Sequence, residues 1–440
     1  MPDADNAARR AAHRRRTLRT EEPVTGGPVR RVWRAIGPGV ITGAADDDPS
    51  GIATYSIAGA QFGTALLWTA LLTWPLMGVV QNMCARIGMV TGRGLMGALR
   101  RKIPRPVLIV VAGALFAANT INVGADLAGM ADAAELLTGF RSHVWVVAFG
   151  VLIAVVTIRL RYVALANALK WLALVLFAYV IDAVIAGPDW SAVLHDTVMP
   201  SLPHGGAMWG MLVAILGTTI SPYLFFWQAS QEVEEEKAKG RRRLADRVGA
   251  TTQEIRVRRL DVTAGTLFSN IVMYFIILAT AVTLHPHGLT HPETSRDVAT
   301  ALTPLAGRFA ALLYTLGLVG TGVLAIPTLA GSAAYAFAEI FGWRQGMDEK
   351  YPRARGFYSA FVVSVALGVA LDAIGVNAVK ALYWSAVLNG LLAPFLLIGV
   401  LVVASDAKVM AGQPSSRVSR AIVLATTVAM FGAAVGMFAF

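Results

Sequence analysis

Stretches of about 20 mainly apolar residues follow one another along almost the whole chain, and each can cross a bilayer as one α-helix. The eleven candidate spans lie at residues 36–60, 65–89, 106–133, 144–160, 162–187, 207–231, 262–284, 305–340, 356–373, 376–404 and 419–438. Charged residues make up only 15% of the chain, against about a quarter in a soluble domain. The sequence therefore predicts an all-α membrane protein with about eleven transmembrane helices.

The segments that join these spans alternate in charge. The basic segments are the N-terminal tail, 93–105, Arg159 with Arg161, 237–259, 344–355 and 408–420. The connections nearly free of Lys and Arg are Gln61, 137–143, 187–206, 284–303 and Ile374. Because basic loops stay in the cytoplasm, the alternation predicts eleven spans in the inner membrane with a cytoplasmic N-terminus.

Two of the apolar spans are interrupted by residues that a lipid-facing helix does not tolerate. The first span contains Asp46, Asp47, Asp48 and Pro49. A charge at that depth costs at least ~2.5–3.5 kcal/mol, and proline removes a backbone donor and clashes with the preceding turn. The sixth span is interrupted by the sequence Gly-Thr-Thr-Ile-Ser-Pro-Tyr at 217–223. Broken helices at corresponding positions predict an inverted repeat of five plus five helices around a midplane site.

This pattern predicts how the chain is divided. Residues 1–35 form a basic cytoplasmic tail, 36–187 the first repeat, 207–404 the second, and 419–438 an additional C-terminal helix. The second repeat contains a charged cytoplasmic loop at 232–261, which is solvated and partly helical or else a gating segment. The arginines of the tail leave contact with nucleic acid or anionic lipid as an alternative to a solvated tail. The net charge of +11 otherwise fits the basic loops, so we expect no nucleic-acid partner.

The carboxylates of the first break indicate what the site binds. Asp48 directly precedes Pro49, where the interrupted helix also frees backbone carbonyls. Carboxylate and carbonyl oxygens together are ligands for a hard cation. Asp46 and Asp47 either line a vestibule or mark a membrane edge and contact solvent. The sequence therefore predicts a cation carrier in which Asp48 contacts the ion.

Several motifs resemble those of the Nramp divalent-metal transporters. They are Gly-Pro-Gly at 37–39, Asp-Pro-Ser-Gly-Ile-Ala-Thr at 48–54, Gly-Ala-Gln-Phe-Gly at 59–63, Arg-Ile-Gly at 86–88 and Gly-Thr-Thr at 217–219 followed by Pro222. The resemblance implies a leucine-transporter-like fold and metal import by alternating access. It implies a transporter rather than an enzyme, with the metal ion as substrate, no cofactor, and action as a monomer.

The resemblance also implies a set of metal ligands. The family binds metal through an Asp and an Asn of the first helix and a Met of the sixth, together with one carbonyl from each helix. The Asp falls on Asp48 and the carbonyls on Ala45 and Thr218, but the Asn position is Gly51 and the Met position is Ser221. A Gln that the family often supplies from the tenth helix is replaced by Ala386, one turn before Asn389. Asp47 and Asn389 are therefore accessory candidates.

These departures shift the expected ion. Sulfur ligands favour soft or borderline ions, whereas all-oxygen sites favour hard ones. With Ser221 and Gly51 in place of larger ligands, the site has room for water, and magnesium usually keeps several waters. We therefore expect magnesium first and manganese second, as in the magnesium-transporting branch that the chain resembles. The alternatives are a proton-coupled manganese or iron importer of the same fold and a carrier of an organic solute such as an amino acid.

The proton route implied by the resemblance is incomplete. The family uses an acidic pair on the third helix and a His just after the sixth-helix proline. Asp126 retains the first acid, but the second falls on Gly129 and the His on Tyr223. Tyrosine ordinarily titrates near 10, so it does not exchange protons at working pH. We expect weak or absent proton coupling, with Asp126 either a remnant of the route or a residue that packs or pairs structurally.

Overall fold

The computed structural model of the protein describes residue 43 and residues 45–159, 174–200 and 205–439, and within these ranges it contains helices and no strand. The main helices are α1 (Pro49–Phe62), α2 (Trp68–Thr91), α3 (Arg105–Thr138), α4 (Ser142–Arg159), α5 (Phe177–Ile185), α6 (Gly206–Thr219), α7 (Pro222–Ala238), α8 (Thr252–Thr283), α9 (Ala310–Phe341), α10 (Arg355–Leu371), α11 (Ala378–Ser405) and α12 (Arg417–Ala439). Short helices lie at Leu95–Leu99, Trp190–Val198, Leu244–Arg247, Ser295–Ala299 and Thr303–Ala306. Single 3-10 turns lie at Gly63–Leu66, Leu174–Leu176, His285–His287, Thr300–Leu302, Gly307–Phe309, Tyr351–Arg353 and Asp372–Ile374.

Within the described residues, eight of the eleven predicted spans correspond to helical segments that can cross a membrane. In the described ranges, 8 helical segments are long and apolar enough, and a ninth appears when α1 and α2, which meet at 109°, count as one span. Three predicted segments lie outside the described residues. They are the tail 1–35, most of the first half of span one, and residues 160–173 of spans four and five. The outer turn predicted near Gln61 is the bend between α1 and α2.

Large apolar side chains cover the outer surface of the helix bundle. Val110 on α3, Val151 on α4, Val428 on α12 and Phe438 on α12 are 70%, 58%, 62% and 76% exposed. A water-soluble protein rarely exposes contiguous apolar surface on this scale. Together with the span lengths, this surface identifies a multi-pass membrane protein whose solvent is lipid.

Helices α1 and α6 lie inside the bundle, where small residues let backbones approach closely. Helix α1 packs against α8, α11 and α6, and α6 packs against α11 and α12. A Cβ at Gly59 would lie 2.1 Å from the Ile277 carbonyl oxygen of α8. A Cβ at Gly217 would lie 2.1 Å from the Ala386 carbonyl oxygen of α11. Only glycine permits these contacts, so α1 packs closely against α8 and α6 packs closely against α11.

Both predicted helix breaks are present. Asp48 has an extended backbone (φ −70°, ψ 169°) and precedes α1, which begins at Pro49. Helix α6 ends at Thr219, Ser221 is extended (φ −72°, ψ 133°), and α7 begins at Pro222. Proline disfavours a helical conformation in the residue before it and suits the first turn of a new helix. Helices α6 and α7 are therefore the two halves of the sixth predicted span.

Residues 232–261, expected to be a charged and partly helical loop, are mostly helical. Helix α7 continues to Ala238, and α8 already begins at Thr252, where Thr251 and Glu254 form a capping box. Arg258 on α8 donates to the Glu232 carboxylate of α7 at 2.8 Å and to Asp261 at 2.5 Å. The ion pairs and the cap stabilise helix beyond the apolar segments, so hydropathy alone ended α7 too early and began α8 too late.

Candidate metal site at the two helix breaks

Asp48 is both a helix cap and a buried carboxylate. Its Oδ1 accepts hydrogen bonds from the Gly51 N–H and the Ser50 hydroxyl, each at 2.7 Å. Asp is a preferred N-cap residue, and the helix dipole favours a negative charge at that end. The side chain is 1% exposed, so it lies inside the protein and not at a membrane surface. The cap fixes Oδ1 and leaves Oδ2 facing α3 and α7.

The second oxygen of Asp48 contacts a residue that the sequence analysis did not select. Asn122 on α3 donates from Nδ2 to Asp48 Oδ2 and to Asp126 Oδ2, each at 3.2 Å. Asn389 on α11 donates in turn to Asn122 Oδ1 at 3.1 Å. Asn122 thus connects α1, α3 and α11. Its spacing of four residues from Asp126, within an apolar helix, was the available signal, because residues i and i+4 share a helix face.

This polar network contains acceptor oxygens that lack a partner. Asp126 Oδ1 and Asn389 Oδ1 are buried and accept no hydrogen bond. Asp126 is fully buried and has no ion-pair partner among the described residues, which gives no support to the salt-bridge alternative. Buried polar atoms are rarely left unsatisfied unless a functional group completes them. The network therefore has spare capacity for a cation or for water.

The two carbonyls implied as ligands already accept hydrogen bonds from side-chain hydroxyls. The Tyr223 hydroxyl donates to the Ala45 carbonyl at 3.1 Å, and its distance to Asp48 Oδ2 is 3.5 Å. Ser221 Oγ lies 2.7 Å from the Thr218 carbonyl and 2.8 Å from the Gly217 carbonyl. Each hydroxyl has only one proton to donate. A carbonyl oxygen has two lone pairs, so each of these carbonyls can still bind an ion beside the hydroxyl.

Gly51 is closely surrounded at the break. A Cβ at this position would lie 3.0 Å from Thr218 Oγ1, 3.4 Å from the Tyr55 ring and 3.5 Å from the Asp46 carbonyl oxygen. The Thr218 Oγ1 atom is buried and has no hydrogen-bond partner. Gly51 and Ser221 occupy the positions expected to hold Asn and Met, and both lie at the helix breaks. Gly51 offers no side-chain ligand, and Ser221 offers a hydroxyl.

Asp46 and Asp47 face a different helix from Asp48. Both are 0% exposed, so neither marks a membrane edge in contact with solvent. Ser269 on α8 lies 2.7 Å from Asp46 Oδ2 and 3.0 Å from Asp47 Oδ1. The accessory candidate Asp47 therefore lies on the α8 side, whereas Asn389 reaches Asp48 only through Asn122. Among the described residues, no three His, Cys, Asp or Glu side chains gather into one cluster.

The chain matches known proteins along most of its length. A family model described as Nramp, natural resistance-associated macrophage protein-like, matches residues 39–439. The chain is similar to a protein of Deinococcus radiodurans named divalent metal cation transporter MntH, at 30% identity over 324 residues and 70% of each chain.

Solved structures show the fold. A manganese transporter of Eremococcus coleocola, in complex with an aromatic bis-isothiourea compound, superposes with a TM-score of 0.71 at 18% identity, over 94% of this chain and 88% of the other. Mhp1, a nucleobase-cation-symport-1 family transporter, superposes with a TM-score of 0.52 at 16% identity, over 92% and 90%. These likenesses confirm the predicted leucine-transporter-like fold with its broken first and sixth spans.

Proposed function

Because the chain belongs to the Nramp family, we propose that it carries divalent metal cations across the membrane, magnesium in preference and manganese as well. Members of this family are transporters and not enzymes. The observation that carries the proposal is Asp48: a buried carboxylate at a helix break, with one oxygen fixed by the helix cap and the other facing α3 and α7. The metal is the substrate, and the proposal needs no cofactor.

The site residues have distinct roles in this proposal. Asp48 supplies the negative charge that offsets dehydration of the ion. The carbonyls of Ala45 and Thr218 and the hydroxyl of Ser221 supply neutral oxygens, directly or through water. Gly51 supplies no ligand and leaves room for water beside the ion. These oxygens come from two interrupted spans, so rocking α1, α6 and α7 against the other helices opens the site to each side in turn.

The hard-ion preference rests on the absence of sulfur at the sixth-span position. Ser221 is 1% exposed and its hydroxyl contacts backbone oxygens, so the sixth-span position offers an oxygen ligand in place of sulfur. All-oxygen sites favour magnesium and manganese over softer ions. Magnesium dehydrates reluctantly and is bound with several waters retained. The small Gly51 and Ser221 side chains accommodate such a partly hydrated ion.

Weak or absent proton coupling is part of the same proposal, because Tyr223 replaces the expected His and Gly129 the expected acid. One observation favours the second candidate, a proton-coupled manganese or iron importer. Asp126 lies one side chain away from Asp48, through the shared hydrogen-bond donor Asn122. A carboxylate in that position can exchange protons with the metal site.

We further propose an inner-membrane monomer with a cytoplasmic N-terminus, divided into repeats at 36–187 and 207–404. The charge alternation of the connections supports this orientation. The breaks after Asp47 and after Ile220, one in each proposed repeat, support the division.

Uptake into proteoliposomes tests the proposal. We expect influx of Mg²⁺ and Mn²⁺, and we expect Asp48→Asn to abolish both, because the isosteric amide removes the charge and keeps the shape. Asp182→Asn is the matched control, since Asp182 is a fully buried carboxylate of α5 that binds the Leu305 N–H. Acidification of the lumen during Mn²⁺ uptake would favour the proton-coupled alternative. Equal uptake by the wild type and by Asp48→Asn would refute the proposal.

A further inference from the structure

The three consecutive aspartates of the first break point in two directions. Asp48 turns to Asn122 of α3 and Tyr223 of α7. Asp46 and Asp47 turn to α8, where the single hydroxyl of Ser269 contacts both carboxylates at 2.7 and 3.0 Å. The proposed transport site uses only the first of these groups.

The α8-facing pair is incompletely satisfied. Asp46 Oδ1 and Asp47 Oδ2 are buried and have no hydrogen-bond partner. Ser269 has one proton, so it donates to only one of the two carboxylates at a time. Burying two adjacent carboxylates costs free energy when two of their oxygens lack partners and the pair shares one donor. A positive charge beside them offsets this cost.

A second buried side chain, Tyr55, has an unsatisfied oxygen near the first break. The Tyr55 hydroxyl is fully buried and has no hydrogen-bond partner. The Tyr55 ring and the Asp46 carbonyl oxygen lie 3.4 and 3.5 Å from the position that a Cβ on Gly51 would occupy, so Tyr55 packs beside the first break. Tyr55 belongs to α1 and Ser269 to α8, so neutral oxygens approach the acidic pair from two helices.

In their ionised forms, the carboxylates of this region carry more charge than one divalent ion can offset. Asp46, Asp47, Asp48 and Asp126 are all buried, at 0–1% exposure, and no Lys or Arg of the described residues forms an ion pair with any of them. A single divalent ion at Asp48 neutralises only part of this charge. A second divalent ion on the α8 side brings the region close to neutrality.

We propose that Asp46, Asp47 and Ser269 form a second cation site that binds a hard divalent ion such as Mg²⁺ or Mn²⁺. The ligands are carboxylate and hydroxyl oxygens, which suit such ions, with the Tyr55 hydroxyl and water completing the coordination. The inference rests on the proposed function, because the second ion lies beside the transported one. An ion bound at this site neutralises the carboxylates of the segment that leads into Asp48. It also holds this segment against α8.

Counting bound ions tests the inference. The purified full-length protein is dialysed against Mn²⁺, and the bound metal is measured per chain. We expect two ions in the wild type, one in Asp48→Asn, and one in the Asp46→Asn/Asp47→Asn double variant. Each single loss then reports one site, so failure of the second site is distinguishable from failure of the transport site.

Ser269→Ala keeps both carboxylates and so remains informative if the double variant fails to fold. We expect it to weaken the second site about tenfold and to leave the first unchanged. Ser385→Ala is the matched control, because Ser385 is a buried serine whose hydroxyl contacts only the Leu382 carbonyl of its own helix, at 2.8 Å. We expect it to bind two ions with wild-type affinity.

One result would overturn the second site and leave the transport proposal standing. In that case the wild type binds a single Mn²⁺, Asp48→Asn binds none, and the double variant still binds one with unchanged affinity. The acidic pair would then hold protons in place of a metal. Loss of one ion in the double variant, with the ion at Asp48 retained, supports the second site.

Discussion

Replacing Gly51 by asparagine restores the ligand type that this position has in the Nramp pattern, and the structure indicates how the protein would respond. The added Cβ would lie 3.0 Å from Thr218 Oγ1, and its other nearest neighbours, at 3.4 and 3.5 Å, are in ordinary van der Waals contact. Thr218 Oγ1 has no hydrogen-bond partner to lose, so a shift of a few tenths of an ångström removes the close contact. The Gly51 N–H keeps its bond to Asp48.

The energetic cost of this substitution is small. Gly51 lies in the first turn of α1, where asparagine is slightly the better helix former, by roughly 0.3 kcal/mol. That gain offsets part of the steric adjustment, and we expect the stability to change by no more than about 1 kcal/mol. A new carboxamide oxygen in contact with the ion is expected to raise Mn²⁺ affinity about tenfold, equivalent to about 1.4 kcal/mol. Mg²⁺ gains less, because it must give up a bound water to use the new ligand.

The measurement is competitive uptake of Mn²⁺ and Mg²⁺ into proteoliposomes, with Mn²⁺ titration of the purified protein. Gly51→Ala is the matched control, because it adds the same Cβ without the carboxamide. We expect the Mn²⁺/Mg²⁺ uptake ratio to rise in Gly51→Asn and to stay at the wild-type value in Gly51→Ala. Equal ratios in the two folded variants would show that position 51 does not face the ion, and the hydrated-site reasoning would be wrong.

Three further perturbations test other parts of the structure. Ser221→Met introduces a thioether at the break, and we expect the Cd²⁺/Mg²⁺ uptake ratio to rise at least about tenfold relative to Ser221→Ala; equal ratios would refute the sulfur argument. Arg258→Ala leaves buried carboxylates unpaired between α7 and α8 and should lower stability by about 3–5 kcal/mol in thermal unfolding, whereas exposed Arg256→Ala should not. The pKa of Asp406 is lowered from 3.8 to about 2, mainly by the hydrogen-bonded ion pair with Lys102 and to a smaller extent by the Val409 N–H. Its stabilisation is therefore present above pH 4 and lost as the pH falls to 2, so the melting-temperature difference between wild type and Asp406→Asn should vanish over that interval.

Most of the fold could be predicted from the sequence, because a lipid environment imposes simple rules on the segments that cross it. Apolar length places the spans, and basic residues between them indicate the cytoplasmic side. Prolines next to polar residues placed both breaks correctly, at Pro49 and Pro222. Helix ends outside the apolar region were less predictable. The extension of α7 and α8 depends on the Arg258 ion pairs and the Thr251 cap, which hydropathy does not register.

The candidate site was predictable only in part, because its ligands approach from helices far apart in the chain. Asp48 was identified from its own neighbours in sequence. Asn122 was missed because an asparagine in an apolar helix has many uses, and only the packing of α3 against α1 shows that it contacts Asp48. The separation of Asp46 and Asp47 from Asp48 was also hidden, since it depends on the backbone turn at the break and on Ser269, more than 200 residues later.

The unsatisfied atoms around the breaks favour a hydrated ion over a bare one. Asp126 Oδ1, Asn389 Oδ1 and Thr218 Oγ1 are buried oxygens that accept no hydrogen bond, while the Ala45 and Thr218 carbonyls already have hydroxyl donors. A bare cation would have to draw these atoms to within about 2.0–2.6 Å, against the close packing of α1 and α6 on their neighbours. A hydrated ion instead brings water protons, which are the donors that unsatisfied acceptors lack, and it reaches them at ordinary hydrogen-bond distances. In the proposed site, the charge of Asp48 would attract the ion and the surrounding acceptors would bind its water shell, a form of recognition that suits magnesium because it usually keeps several waters.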